Sequence, residues 1–319
     1  MKRHNQVLAG ILVVQIILSI VVFWPKSTVA IESKPVFPDL EAGDIVALTI
    51  ADAGGNSTAL RQVTGEWVLP DADDYPAQAD KITPLLDKIV GLTTGRLVTR
   101  TDASHKRLQV APDDFVRRIE FETADGTKHT LYLGSSPSYG VTHFRVDGQS
   151  ETYLTDAIST WETNATAASW INTAYLSVPR TDVTRMTLEN TNGTFTFTKD
   201  DAGNWTMEDL AADETLNEGQ VTTLLQRATS VNMLTPLGKG DEAAYGMDKP
   251  NAVVTLETGD ETITLRVGAK DPDDNSYVVI SSESPYYVRV SEFAVKHVVE
   301  STRDDFLQVP PTPTLEPEA

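Results

Sequence analysis

The sequence contains no cysteine. That excludes disulfides, thiolate metal sites and cysteine nucleophiles. It does not locate the protein, because envelope proteins can fold without disulfides. Histidine is nearly as scarce, with five residues at positions 4, 105, 129, 143 and 297. They form no i,i+4 pair and no HExxH-type spacing, so a metalloprotease site has no ligands to draw on. His129 and His143 could meet across adjacent strands, but both read as exposed strand histidines. No Gly-x-x-x-x-Gly-Lys-Ser/Thr loop is present to cradle phosphates, and no Gly-x-Ser-x-Gly elbow to present a serine. Basic charge is also short: 26 Lys and Arg face 46 Asp and Glu, for a net charge of −20. Such a chain repels phosphate backbones, so nucleic acid is not an expected partner. No cofactor motif is found, and no cofactor is expected.

What is present suits a folded protein of two ordinary domains: 319 residues, 40% hydrophobic and 23% charged. Lys2 and Arg3 precede an apolar run over 7–24, interrupted only by Gln15 and Ser19. As a helix, those residues cover about 27 Å, close to the hydrocarbon core at about 30 Å. The run is apolar all round rather than along one stripe, which argues against a buried core helix. The positive charges place residues 1–6 in the cytoplasm, and Trp24 and Pro25 suit the far interface. A signal peptide cleaved after Thr28-Val29-Ala30 is the competing reading. The run is longer than a usual h-region of about 7–15 residues, which favours an uncleaved anchor. Either way the rest of the chain is exported.

Residues 25–43, with Pro35, Pro38 and Gly43, read as an extended linker, and 308–319, with four prolines, as a disordered acidic tail. Between them the sequence repeats, as copies over 44–175 and 176–307. Each copy opens with a strand of period-2 alternation, Asp44–Ile50 and Asp182–Leu188. A Gly-x-Trp follows in each, Gly65-Glu66-Trp67 and Gly203-Asn204-Trp205, with the tryptophans 138 positions apart. The glycine permits the turn and the indole plugs the core beneath it.

An amphipathic helix comes next in each copy, with Ile82, Leu85, Leu86 and Ile89 matched by Val221, Leu224, Leu225 and Ala228. Asn217 with Gln220 reads as its cap in the second copy. Hairpins follow around Ala124-Asp125-Gly126 and Thr258-Gly259-Asp260, and their second strands end in Gly134 and Gly268. A further hairpin and a short terminal helix, around Asp156–Glu162 and Glu292–Val299, close each copy. The expected fold is α+β: two tandem repeats of mainly antiparallel β-sheet with packed helices, preceded by one N-terminal transmembrane helix.

Candidate chemistry is sparse. Asp271, Asp273 and Asn275 place oxygen ligands at alternate positions, like the start of a calcium loop. Ser276 and Ser282 stand where such a loop has glycine and glutamate, so an acidic turn is the preferred reading, and the same holds for Asp71, Asp73 and Asp74. Tyr139, Tyr153, Tyr286 and Tyr287 near loops suggest either an aromatic platform for a ligand or packing beneath hairpins, and packing is preferred. No catalytic residues are assigned, and no enzyme activity is expected.

The N-terminal anchor, the strand followed by Gly-x-Trp and a Leu-Leu helix, and Tyr245-Gly246-Met247-Asp248-Lys249-Pro250 together resemble the bacterial family called domain of unknown function 4340. The hexapeptide is similar to that family's Tyr-Gly-Leu-x-x-Pro turn before a hairpin. The first copy departs from it, with Leu108-Gln109-Val110-Ala111-Pro112 lacking the glycine. The resemblance implies a membrane-anchored extracytoplasmic protein encoded beside ABC-2 type transporter components of the gliding-motility kind. The expected partners are therefore the lipid bilayer, through residues 7–24, and an ABC-2 transporter permease or other envelope protein. A module binding glycans or another exported ligand is the alternative, and an envelope hydrolase stands third.

Overall fold

The computed structural model describes residues 12–16, 19, 32–200, 202–259 and 261–308. The expected anchor at 7–24 lies largely outside the described residues. Within it, residues 12–16 are helical and exposed. Among the described residues no helix is long and apolar enough to cross a membrane. The tip expected at residues 1–6, and the tail beyond residue 308, also lie outside them.

Two large antiparallel sheets carry the fold, with few helices. In the first copy the strands are β1 (Ile45–Asp52), β2 (Ser57–Val63), β3 (Glu66–Leu69), β4 (Tyr75–Pro76), β5 (Leu97–Thr99), β6 (Val110–Ala111), β7 (Asp114–Phe115), β8 (Arg117–Thr123), β9 (Lys128–Leu133), β10 (Thr142–Val146) and β11 (Thr152–Thr155). Nine of them order as β4-β3-β2-β1-β8-β9-β10-β11-β5, with β6 and β7 forming a separate ribbon. In the second copy they are β12 (Ala174–Ser177), β13 (Arg185–Asn190), β14 (Gly193–Lys199), β15 (Trp205–Met207), β16 (Ser230–Asn232), β17 (Thr235–Gly238), β18 (Ala252–Thr258), β19 (Glu261–Lys270), β20 (Tyr277–Ser281) and β21 (Tyr287–Val290). Eight of these order as β15-β14-β13-β18-β19-β20-β21-β17. The two orders match strand for strand, apart from the extra edge strand β4.

Cross-strand pairing explains the alternation seen in the sequence. Leu48 lies between Leu60 and Phe121, and its counterpart Met186 between Phe197 and Leu256. All six are buried on one face of their sheet. Burying an apolar side chain of this size contributes about 1.5–3 kcal/mol. Helix α1 (Ala79–Val90) covers that face in the first copy with Ile82, Leu85, Leu86 and Ile89. A four-residue helix, α2 (His105–Leu108), follows it. Helix α3 (Glu218–Thr229) covers the second sheet with Val221, Leu224, Leu225 and Ala228, and Asn217 caps it by accepting the Gln220 N–H. Helix α4 (Glu292–Glu300) packs beside α3.

The short helix expected around Asp156–Glu162 is not formed; the stretch is a series of turns. Its polar side chains bond their own backbone instead: Thr155 Oγ1 accepts the Ala157 N–H at 3.0 Å, and Glu162 accepts both the N–H and the hydroxyl of Ser159. Such local bonds compete with helix formation. Ile158 still buries completely, so the turns plug the core where α4 does in the second copy.

The segment ahead of β1 is extended and packed. Pro35 bridges Thr93, and the Val36 N–H donates to Leu92 O at 2.8 Å. In the second copy β12 pairs with β16 in the same way. Phe37 and Tyr175, 138 positions apart like Trp67 and Trp205, are both buried. The duplication therefore begins upstream of β1, within the stretch that reads as a linker in the sequence.

Buried apolar side chains of both copies join in one cluster. One smaller cluster sits on the reverse face of each sheet: Leu108, Val110 and Tyr132 in the first, and Tyr245, Met247, Val278 and Tyr287 in the second. Strand alternation puts Tyr132 opposite to Leu131 and Leu133, which is why each sheet carries a second small core.

Candidate functional site

The reverse-face cores are built on the family-like turns. Gly246 takes the left-handed conformation, φ 68°, just after the buried Tyr245. Gln109 takes it at φ 56° in the first copy, so the turn survives there without glycine. Beneath each turn the strand glycine is sterically required. A Cβ on Gly134 would strike the Leu108 carbonyl, and one on Gly268 the Tyr245 carbonyl. An arginine then serves each turn: Arg145 Nε donates to Val110 O at 2.7 Å, and Arg266 donates to Met247 O. Arg145 comes from β10 and Arg266 from β19, so the same function is filled from neighbouring strands. Pro250 is half-buried at the end of its turn. Of the two marker tryptophans Trp67 is buried, whereas Trp205 is only half-buried, with Lys199 Nζ 5.2 Å from its ring centre.

A cavity of about 650 Å³ in the first copy has room for a ligand. Phe37 and His129 line it, with Asp39, Asp44 and Asp125 among its other walls. Phe37 packs edge-on to both Phe121 and His129, and His129 stacks on Phe121 at 5.0 Å. Asp125 caps its own hairpin: Thr123 Oγ1 donates to it at 2.5 Å and the Thr127 N–H at 3.0 Å. Those bonds, the threonine hydroxyl first, hold its carboxyl at about 2. Asp44 accepts the Glu41 N–H at 2.9 Å.

The second copy has the matching cavity, at about 270 Å³. Tyr175 stands for Phe37, Asp182 for Asp44 and Ile263 for His129, while Glu283 also lines the second cavity. The Tyr175 hydroxyl donates to Tyr286 O at 2.8 Å and accepts the Ser281 N–H at 2.9 Å. Burial pushes its phenol up. The two cavities lie within the copies rather than between them.

The remaining expected site residues are scattered. Asp271 pairs with Arg289 at 2.9 Å and accepts the Asp273 N–H, while Asn275 is left-handed at φ 62°. The oxygens of this turn therefore hold the turn together. Among the described residues no group of three or more His, Cys, Asp or Glu is placed to hold a metal ion. His143 is buried rather than exposed, its Nδ1 2.7 Å from Ser135 O, and His129 is half-buried. The two do not meet, because β9 and β10 pair Leu131 with Val146 and Leu133 with Phe144. The tyrosines form no common platform: Tyr153 and Tyr287 are buried and Tyr139 is fully exposed. Asp71, Asp73 and Asp74 lie at a turn where the copies touch. Asp73 accepts the Lys239 N–H, and Asp74 pairs with Arg61. The cavity had little signal in the sequence, because its walls come from a packed linker and a hairpin some 85 positions later.

No curated protein and no solved structure matches the chain significantly. A family model described as "Domain of unknown function (DUF4340)" matches residues 67–250. The match begins at Trp67 and ends at Pro250, so it spans the junction of the copies. Over more than half its length the chain carries the pattern of this family, and it belongs to the family described as domain of unknown function 4340.

Proposed function

We propose that this is a membrane-anchored, extracytoplasmic, non-catalytic accessory protein, held by residues 7–24 and associated with an ABC-2 type transporter or with envelope assembly. The observation that carries the reading is the short connection between the apolar run and the packed first copy. Residues 25–35 span at most about 40 Å when extended. A domain held that close to a bilayer is confined to the surroundings of its membrane neighbours, which raises its effective concentration against them. The carboxylates lining the larger cavity support a binding role over acid–base work, since Asp44 and Asp125 are engaged in capping turns.

Purification of the full chain from membranes in mild detergent tests the proposal. A transporter permease or ATPase should accompany it in stoichiometric amount. Recovery of the chain alone, under conditions that keep the transporter assembled, would count against it. A binding module for an exported ligand such as a glycan is the second reading, favoured by the aromatic lining of the first-copy cavity. Thermal-shift screening separates the two, because a ligand that binds the native state raises the melting temperature.

A further inference from the structure

The matched cavities of the two copies differ in lining and in volume. Both cavities have carboxylates at the mouth: Asp39, Asp44 and Asp125 in the first, and Asp182, Glu261 and Glu283 in the second. No lysine or arginine lines either. They differ inside. In the second copy the Tyr175 hydroxyl is consumed by two backbone partners and Ile263 fills the floor. In the first copy Phe37 has no hydroxyl to reach across, and His129 replaces the aliphatic chain. The volume rises from about 270 to about 650 Å³. Ligand pockets typically hold about 300–1,000 Å³, and of these two matched cavities the first-copy one falls in that range.

We propose that the first-copy cavity is a docking site for a lysine or arginine side chain presented by a partner protein. The charge is complementary: three carboxylates at the mouth attract a cation, and Asp125, held at about 2, stays ionised through the physiological range. The apolar lining from Val36, Phe37, Leu40 and Val146 suits the alkyl stem of such a side chain. The wall formed by Val36, Phe37 and Asp39 follows directly on the 25–35 connection, so the cavity is built in part from the described stretch that lies nearest in sequence to the proposed anchor. The occupant is therefore a basic extracytoplasmic segment of a neighbouring membrane protein. This identification of the partner rests on the accessory-subunit reading, whereas the recognition of a basic side chain does not.

The test uses the full chain in nanodiscs of neutral phosphatidylcholine. The probe is a fluorescein-labelled Gly/Ser peptide with one central arginine, and fluorescence anisotropy is the readout. Saturable binding is expected, weakened by 0.5 M NaCl and absent for the counterpart with glutamate. Asp39→Asn with Asp125→Asn should weaken it at least tenfold. Phe37→Tyr with His129→Ile, which gives the first copy the lining of the second, should do the same. Asp182→Asn with Glu261→Gln in the second copy should leave it unchanged. Circular dichroism melts check that each variant is folded, and Asp39→Asn alone, at an exposed position, provides a charge variant that keeps the core. Equal binding of the arginine and glutamate peptides, no saturation, or equal loss from the second-copy variant would overturn the proposal. Peptide binding without transporter co-purification would leave the docking site standing and remove only the identity of the partner.

Discussion

Asp73 accepts the backbone N–H of Lys239 at 2.6 Å across 166 positions of sequence, and this bond ties the first copy to the second. Around it, Tyr286 donates its hydroxyl to Asp74 O at 3.2 Å and packs edge-on to Tyr75 at 4.7 Å. Gly238, at φ 107°, lies so close that a Cβ would stand 2.6 Å from an Asp73 carboxylate oxygen. No aspartate stands at the position matching Asp73 in the second copy, where Ala211 does, so the contact belongs to the junction alone.

Asp73→Ala should therefore destabilise the chain by about 1 kcal/mol, at the low end for a charged acceptor because the bond is exposed. Asp73→Asn keeps an acceptor and tolerates the left-handed backbone, and should change stability by only a few tenths. Gly238→Ala should cost about 1–3 kcal/mol from its backbone conformation and the clash. Combined with Asp73→Ala, part of that cost should vanish, giving a coupling above about 0.5 kcal/mol. Urea titration of the four species measures it, and strict additivity would contradict the packing described.

The left-handed turns make a paired prediction. Gln109→Gly should stabilise by about 1 kcal/mol by removing a strained backbone, and Gly246→Ala should destabilise by a similar amount. Gly134→Ala and Gly268→Ala each drive a Cβ into a carbonyl oxygen and should cost about 3 kcal/mol or more. Melting temperatures of the four variants check the order, and a neutral Gly268→Ala would show that the close approach is not maintained.

Much of this fold was legible because period-2 alternation and the Leu-Leu stripes are dictated by local geometry. Leu48, Met186, Ile82 and Val221 follow those rules, and their burial agrees. The failures are tertiary or involve polar side chains. The turns at Asp156–Glu162 had a helical look, but Ser159 and Glu162 bond locally instead. The linker prolines concealed Phe37, whose burial depends on partners in β8 and β9. Gln109 shows that an absent glycine does not mean an absent turn. The cavity left little trace in the sequence, since the difference between Phe37 and Tyr175 becomes a volume only when both copies fold.

One ion pair sets a pH dependence. Arg303 grips both oxygens of Glu214, each at 2.6 Å, and holds its carboxyl at about 2 against an ordinary value of 4.5. A lowered folded value means that the unfolded chain binds the proton first. The stabilisation is thus complete above pH 4.5 and is lost as pH falls toward 2. Glu214→Gln should narrow the gap to wild type over that window, as read from urea midpoints against pH. A gap that persists unchanged below pH 2 would contradict the assignment.

The absence of cysteine makes topology directly measurable. Tyr139→Cys places a single thiol at a fully exposed position that lines neither of the two cavities. The decisive measurement is its labelling by a membrane-impermeant maleimide in intact spheroplasts, followed by carbonate extraction of the membranes. An anchored extracytoplasmic chain is labelled without lysis and stays in the carbonate-washed membranes. Labelling only after lysis, or release of the labelled chain by carbonate, would contradict an anchored extracytoplasmic protein.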